Sequence, residues 1–474
     1  VCLGTAMSSS EPPPSDTSGL VLSGAVPGTW IEVFDAQFRS VGAGWDYLNL
    51  KLPEGVYEAR ATAGGARESQ LLAIKPGVEI RREMVVKFPA AAPSADGSAS
   101  AQQHSDFAEW LSGEFIHSDS EAPAALSLVL RNIDDGPKLR IDTVELLDSH
   151  LKPVLDAWEP PWFLGGNDIA GKAVGLAPGP YVLRTYHASG SHAVASTDQT
   201  IWLSPGWQTH AFLPNQELGA DSGGMSVHMS PMTRAWHSDT RDGLVLEAVM
   251  GQLHAGESDV APSVIKLAGD TCATNPMLAI AALQLLAPGI QQRDDVQELI
   301  DELQHQVGPH PDVLALNPTL RYGADYAFAV SWPPMFDLSY RKFLLAADQL
   351  NIAAIGEDSP AERVAPFLHH TGPWLRWETT EAILSDDALT TPTEAWANSR
   401  WRWEIERRGP VSFNAMRQVE SGIGEIAAFR HVELADVVDD LGVARLAELL
   451  HLPTALVRSA ITDMGIPTRQ LVRV

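Results

Sequence analysis

Few residues in this sequence combine a type and a spacing that could do chemistry. Cys272, in KLAGDTCATNPM, stands just before a helix start at Asn275–Pro276. A thiol at the positive end of a helix is lowered in pKa, which makes Cys272 the candidate nucleophile of a cysteine hydrolase. No histidine or acid is marked as its base, so a plain buried cysteine is the simpler reading. His228 and His237 lie between Met225 and Met232, a pattern compatible with soft-metal ligation. His369 and His370 are adjacent, so on a helix they point about 100° apart and cannot act as an i, i+4 metal pair. His310-Pro311-Asp312 reads either as a ligand pair or, more simply, as a loop followed by an acid in a helix's first turn. Nucleophile-elbow, phosphate-loop, zinc-protease and dinucleotide fingerprints are all missing from the string. The expectation is therefore a chain with no catalytic apparatus, no metal and no cofactor.

Binding chemistry has more candidates. GPHPDVLAL (308–316) and SWPPMFDLSY (331–340) set prolines beside apolar residues. Trp332, Met335, Phe336, Trp374 and Trp377 are of the types enriched at recognition patches. Filling a helical core is their plainer role. WANSRWRWEIERR (396–408) is the basic, aromatic cluster of the chain, with Trp401, Arg402 and Trp403 at its centre. It suits an acidic partner, or nucleic acid held by stacking and charge. Pairing of its arginines with Glu404 and Glu406 on an amphipathic helix is the simpler account.

The elements that must position these residues begin with an internal repeat. IEVFDAQFRSVGAGW (31–45) matches VELLDSHLKPVLDAW (144–158), with Asp35 over Asp148 and Trp45 over Trp158. LPEGVYEAR (52–60) matches LAPGPYVLR (176–184), and IKPGV (74–78) matches LSPGW (203–207). A short apolar run broken at Asp and then resumed is a hairpin signal, because Asp bonds its own following backbone. Gly then Tyr opens an alternating strand, and Pro-Gly marks a further turn. Many short strands with such turns predict a sandwich. The pattern of apolar strand, Asp and basic residue, with the Leu-x-x-Gly-x-Tyr step, resembles the prealbumin-like, carboxypeptidase-regulatory-like β-sandwich family. That resemblance implies spacer, stabiliser or recognition modules over roughly 18–88 and 122–214.

The expected organisation is multidomain β plus α: two tandem antiparallel β-sandwich domains followed by a mainly helical C-terminal region. Residues 1–17 read as a disordered leader starting at Met7, 18–88 as the first sandwich, and 89–105 as a flexible Pro/Ala/Ser/Gly linker. Residues 106–216 read as the second sandwich, 226–390 as a helical domain, and 395–474 as a small bundle. RDDVQELIDELQHQV, MLAIAALQLLA, LSYRKFLLAADQ and ERVAPFLHH carry helical periodicity or start signals. Residues 432–466 give three short helices that resemble a helix-turn-helix unit. Seven acids against five arginines over 425–474 argue against DNA.

The net charge of −27 disfavours polyanion binding by the bulk surface. Two cysteines, Cys2 and Cys272, cannot build a disulfide framework and fit a reducing cytoplasm. No apolar run is long enough to span a membrane. An acylated Cys2 is the alternative, giving a lipid-anchored protein. NPMLAIAALQLL and PPM resemble segments of bacterial signalling or defence-type systems. The functional expectation is a cytoplasmic adaptor or scaffold that meets a protein partner through its C-terminal half. A hydrolase using Cys272 and a nucleic-acid regulator using 396–474 are the alternatives, and nucleic acid is the less expected partner.

Overall fold

A computed structural model describes residues 18–93, 99–118, 122–132, 139–155, 162–189, 193–216, 219–257, 259–286, 294–316, 330–350, 355–356, 359–369 and 372–378, with a few isolated positions between 438 and 461. The chain forms two compact units, one of residues 1–88 with Ala261–Val264 and one of the remainder.

In the first unit, β1 (Ser18–Gly24), β2 (Trp30–Phe34), β3 (Ser40–Trp45), β4 (Tyr47–Leu52), β5 (Gly55–Ala63), β6 (Ala66–Ile74) and β7 (Ile80–Met84) follow in sequence. They make a three-stranded sheet, β4-β1-β7, and a four-stranded sheet, β3-β2-β5-β6. Strict alternation along β5 turns Tyr57, Ala59, Ala61 and Ala63 inward and Val56, Glu58, Arg60 and Thr62 outward. The inward set packs with Leu20, Leu22, Ile31, Val33, Leu72, Ile74 and Met84 in one core. Each fully buried aliphatic side chain there contributes about 1.5–3 kcal/mol.

The second unit opens with α1 (Ala99–Ser118), then β8 (Ala124–Arg131), β9 (Val144–Leu147), β10 (Pro153–Leu155), β11 (Phe163–Leu164), β12 (Ile169–Leu176), β13 (Gly179–Ser189), β14 (Ala193–Leu203) and β15 (Trp207–Gln216). There follow β16 (Gly219–Ala220), β17 (Ser226–Pro231), the helices α2 (Arg241–His254), α3 (Pro262–Thr271, its first three residues grouped with the first unit), α4 (Pro276–Gln284), α5 (Asp294–Val307), α6 (Pro311–Leu316), α7 (Asp337–Leu350) and α8 (Pro360–Arg363), and last β18 (Leu368–His369) and β19 (Arg376–Glu378).

The repeat is visible as topology. β12-β8-β15 reproduces β4-β1-β7, including the parallel β8/β15 pair, and β10-β9-β13-β14 reproduces β3-β2-β5-β6. Its hairpin turn is the same in both copies. Asp35 Oδ1 accepts the N–H groups of Gln37 and Arg39 at 2.9 and 3.0 Å, and Asp148 Oδ1 those of His150 and Lys152 at 2.8 and 2.9 Å. Phe38 and Leu151 both take φ 58° at the same step. Tyr57 and Tyr181 each donate a hydroxyl proton to the carbonyl four residues back, Pro53 and Ala177, an arrangement that pins a strand start to its preceding loop.

Several expectations are corrected. The stretch read as a flexible linker, 89–105, is in part structured. Ala91 and Ala92 are buried, and α1 begins at Ala99, because alanine and glutamine favour helix once a face can be buried. Phe107 and Leu111 of α1 lie on Gly171 of β12, where an added Cβ would sit 2.6 Å from Leu111. No boundary separates 106–216 from 226–390. β17 pairs with β15 and β19 with β14, so residues assigned to a helical domain complete the sheets. ERVAPFLHH is not one helix: α8 is four residues long, a 3-10 turn covers Ala365–Phe367, and Leu368–His369 is strand. Asn275 does not cap α4 with its side chain; it donates instead to Asp242, at 2.9 Å. The leader 1–17 and almost all of the 395–474 bundle lie outside the described residues. Among the described residues, no helix is long and apolar enough to cross a membrane.

Candidate functional site

The sequence candidates go inward. Cys272 is 1% exposed, and burial, aided by Glu302, pushes its thiol up to about 12. That is the wrong direction for a thiolate nucleophile, so the weak hydrolase candidate is corrected to a core cysteine. His228 Nε2 contacts Glu247 Oε1 at 2.6 Å, both residues being buried, while His237 Nδ1 lies 3.3 Å from Glu109. The two histidines thus serve different carboxylates. Among the described residues, no group of three or more His, Cys, Asp or Glu could hold a metal.

The two proline-bearing loops meet at Asp312. Pro333 and Pro334 have no N–H to give, and the next two amides, Met335 and Phe336, both donate to the Asp312 carboxylate at 2.9 Å. Burial raises Asp312 to about 6 despite those amides, the Ser339 hydroxyl and nearby Lys342. Burial lowers His310 to about 3 and Lys342 to about 7. Lys342 and Ser339 are joined through Gln284, which accepts from one at 3.0 Å and donates to the other at 2.8 Å. Perturbed groups of this kind often mark active sites. Here all are buried, and their work is to hold the 331–336 loop on the helices.

Met335, Phe336, Trp374 and Trp377 are at most 1% exposed, so they are interior residues and form no surface patch. Trp374 stacks on Phe336 at 4.7 Å and donates its indole N–H to Met225 O. Trp332 packs, partly buried, against the same cluster as Trp377. Trp401, Arg402 and Trp403 lie outside the described residues.

Among the described residues, nothing covers the outward face of β3-β2-β5-β6 in the first unit, whose outward residues are half-buried or exposed. Register sets Trp45, Trp30 and Thr62 in one row, then Ala43, Glu32 and Arg60 in the next. Trp30 and Trp45 meet edge to face at 4.9 Å. The Arg60 guanidinium lies 4.4 Å over the Phe34 ring and pairs through two hydrogen bonds, of 2.9 and 3.0 Å, with Glu58. That pairing holds Glu58 below its ordinary pKa. Leu71 and Val56 on the same face are 74% and 54% exposed. Aromatic, aliphatic and paired charged groups on one exposed sheet face can stack on and hydrogen-bond a partner.

The second unit shows what such a face can carry. Leu147 and Val182, which occupy the positions of Phe34 and Glu58, are buried with Tyr340 and Leu344 of α7, Leu368 and Trp377. The Arg–Glu cross-strand pair persists as Arg184 and Glu145, now with Asp198 bonded to the guanidinium at 2.8 Å. Burial works against the Arg184 charge, but Asp198 more than offsets it and the group sits above its ordinary value. The sequence holds a signal for this contrast. VYEARATA alternates strictly, as a strand with one wet face does, whereas PYVLRTY puts Val182 and Leu183 side by side, as a strand covered on both faces does.

No protein-family profile matches the chain, and no curated protein does. Solved structures give partial similarities. The TIE protein of Bacillus anthracis matches 44% of the chain at 12% identity and a TM-score of 0.18, and the match spans 34% of that protein, about a third of its length. A Bacteroides thetaiotaomicron protein described as polysaccharide-binding matches 47% of the chain and 98% of its own length, at 7% identity and TM-score 0.15. The minor pilin GBS52 of Streptococcus agalactiae matches 41% and 93%, at 9% and 0.14.

Proposed function

We propose that the chain is a non-enzymatic interaction protein whose first sandwich engages a protein partner and whose second is its internally braced scaffold. One observation carries this reading: the sheet face that α7 and its neighbours bury in the second unit is, in the first, left uncovered by the described residues, with Val56 and Leu71 exposed and Trp30, Phe34 and Trp45 half-buried. An exposed apolar patch on an otherwise well-packed unit is a liability unless something binds it. Cys272 is buried with its thiol pushed up in pKa, which does not favour the hydrolase alternative.

The test is a quantitative capture from the cells in which the chain is made, with the full chain as bait. Partners retained by the native chain should be lost by a Val56→Lys/Leu71→Lys variant and kept by Asn49→Lys, which places a charge on an exposed position of the other sheet. Equal recovery on all three baits would refute the assignment of this face.

A further inference from the structure

The same internal comparison points to how the partner is held, and the inference rests on the binding reading above. Gly55 pairs with Ile74 and Gly179 with Leu203, so β6 and β14 are equivalent strands with Glu68, Ser69 and Gln70 in the places of Thr197, Asp198 and Gln199. In the second unit the far edge of β14 is not a sheet edge. β19 adds to it antiparallel, with Glu378 opposite Thr197, Trp377 opposite Asp198 and Arg376 opposite Gln199. Among the described residues nothing pairs with the far edge of β6, and Arg67–Leu71 are exposed along it. An edge of nine residues without proline is a ready template for another strand.

Edge strands are commonly guarded by inward-directed charge, and β6 has one. Glu68 is paired with the core residue Ala61, on the inward side of the sheet, yet is itself exposed. Transferred in register, a strand like β19 would set its own Glu directly opposite Glu68. Like charges in that position repel, and opposite charges attract, by up to about 1 kcal/mol. Glu68 therefore selects against the chain's own kind of capping strand and for one with a basic residue at that point. On the outward face Glu32 and Glu58 are balanced by Arg60 and Arg67, so Glu68 itself and the protein's net charge of −27 supply the bias toward a basic partner. Its outward-facing positions would carry apolar and aromatic side chains, as Leu375 and Trp377 do on the second sandwich.

We infer that the edge of β6 captures an extended, basic–apolar segment of a partner protein by antiparallel strand addition, with a Lys or Arg opposite Glu68. The mode is backbone pairing for affinity and side-chain register for choice.

The probe is a fluorescein-labelled peptide of residues 372–380 carrying Glu378→Lys, titrated against the full-length chain by fluorescence polarisation, beside the same peptide with Glu378 kept. The Lys peptide is expected to bind about two- to fivefold more tightly than the Glu peptide. The chain variant Glu68→Lys should reverse that order, and Leu71→Lys should weaken both peptides. Binding that ignores the charge at both positions overturns the register. Absence of saturable binding by either peptide overturns strand capture. If Val56→Lys/Leu71→Lys still abolishes partner capture, the binding-protein reading survives that failure. Sedimentation showing a dimer that Leu71→Lys dissociates would assign the edge to a second copy of the chain instead, and so also overturn the inference.

Discussion

The two units share a strand order, a hairpin turn and a tyrosine hydrogen bond, yet their sheets have different surroundings. One is bare: β5 alternates buried with half-buried or exposed residues, and among the described residues the outer side of the edge strand β6 is unpaired. The other is wrapped. α1 covers β12 and β8, α7 with Val364, Leu368, Leu375 and Trp377 covers β9 and β13, and β17 and β19 lengthen its sheets. Within one chain, the same topology therefore serves once as a finished interior and once as an unfinished one. The lesson is that topology fixes where a sheet's faces and edges lie, while the outward-facing residues decide whether the chain itself or another molecule covers them.

The difference predicts unequal responses to substitution. Trp377→Ala removes a fully buried indole from the cover of the second sandwich and should cost about 3–5 kcal/mol, read as a lowered denaturant midpoint. An effect under 1 kcal/mol would mean that the cover is not part of the stable fold. Gly171→Ala forces a Cβ against Leu111 and Phe107 of α1 and should cost about 1–3 kcal/mol by the same measurement.

Acid should separate the units next. Buried His210 and His310 take up a proton near pH 3 when folded but near 6.5 when unfolded. Unfolding therefore binds protons in that window, and the stability these groups contribute is lost as pH falls from 6.5 toward 3. Asp312 works the other way between 3.8 and about 6, since its folded form keeps a proton that the unfolded form releases. One net proton remains, worth about 1.4 kcal/mol per pH unit. Hydrogen exchange followed by mass spectrometry should show β13–β15 loosening before β1–β7 on acidification, and the reverse order would contradict the assignment. The smallest effect is at the bare face: Leu71→Ala should change stability by no more than about 0.5 kcal/mol in thermal melting.

Much of this architecture was readable in the string, for identifiable reasons. The hairpin at Asp35, the Gly-Tyr strand start and the Pro-Gly turn depend on local backbone chemistry, and each formed where its residues stand. Helices α5 and α7 followed their apolar periodicity. What stayed hidden depends on distant partners. α1 begins in a stretch whose composition reads as linker, and it becomes a helix that packs where Gly171 of β12 and Gly165 before it leave room for Phe107 and Leu111. β19 is a strand because β14 and β18 lie on either side of it. Trp374 and Phe336 read equally as patch or core, since type and spacing do not say what covers a side chain. The open face was equally hidden: Trp30, Phe34 and Trp45 stand in the repeat, but their types alone do not show that no other element covers them.

The left-handed residues Phe38 and Leu151 have one last effect. Each follows Asp at a hairpin where the strand register shifts by a bulge, between Val33 and Phe34 in one copy and beside Pro153 in the other. A kinked, bulged bend of this kind cannot slide along its neighbour without losing its own hydrogen bonds. Sliding by one position would turn Ile31 and Val33 out to water and bury Trp30, Glu32 and Phe34. The bend is thus a ratchet pawl for the sheet, and it keeps the tryptophans pointing out in a strand that would otherwise gain by hiding them.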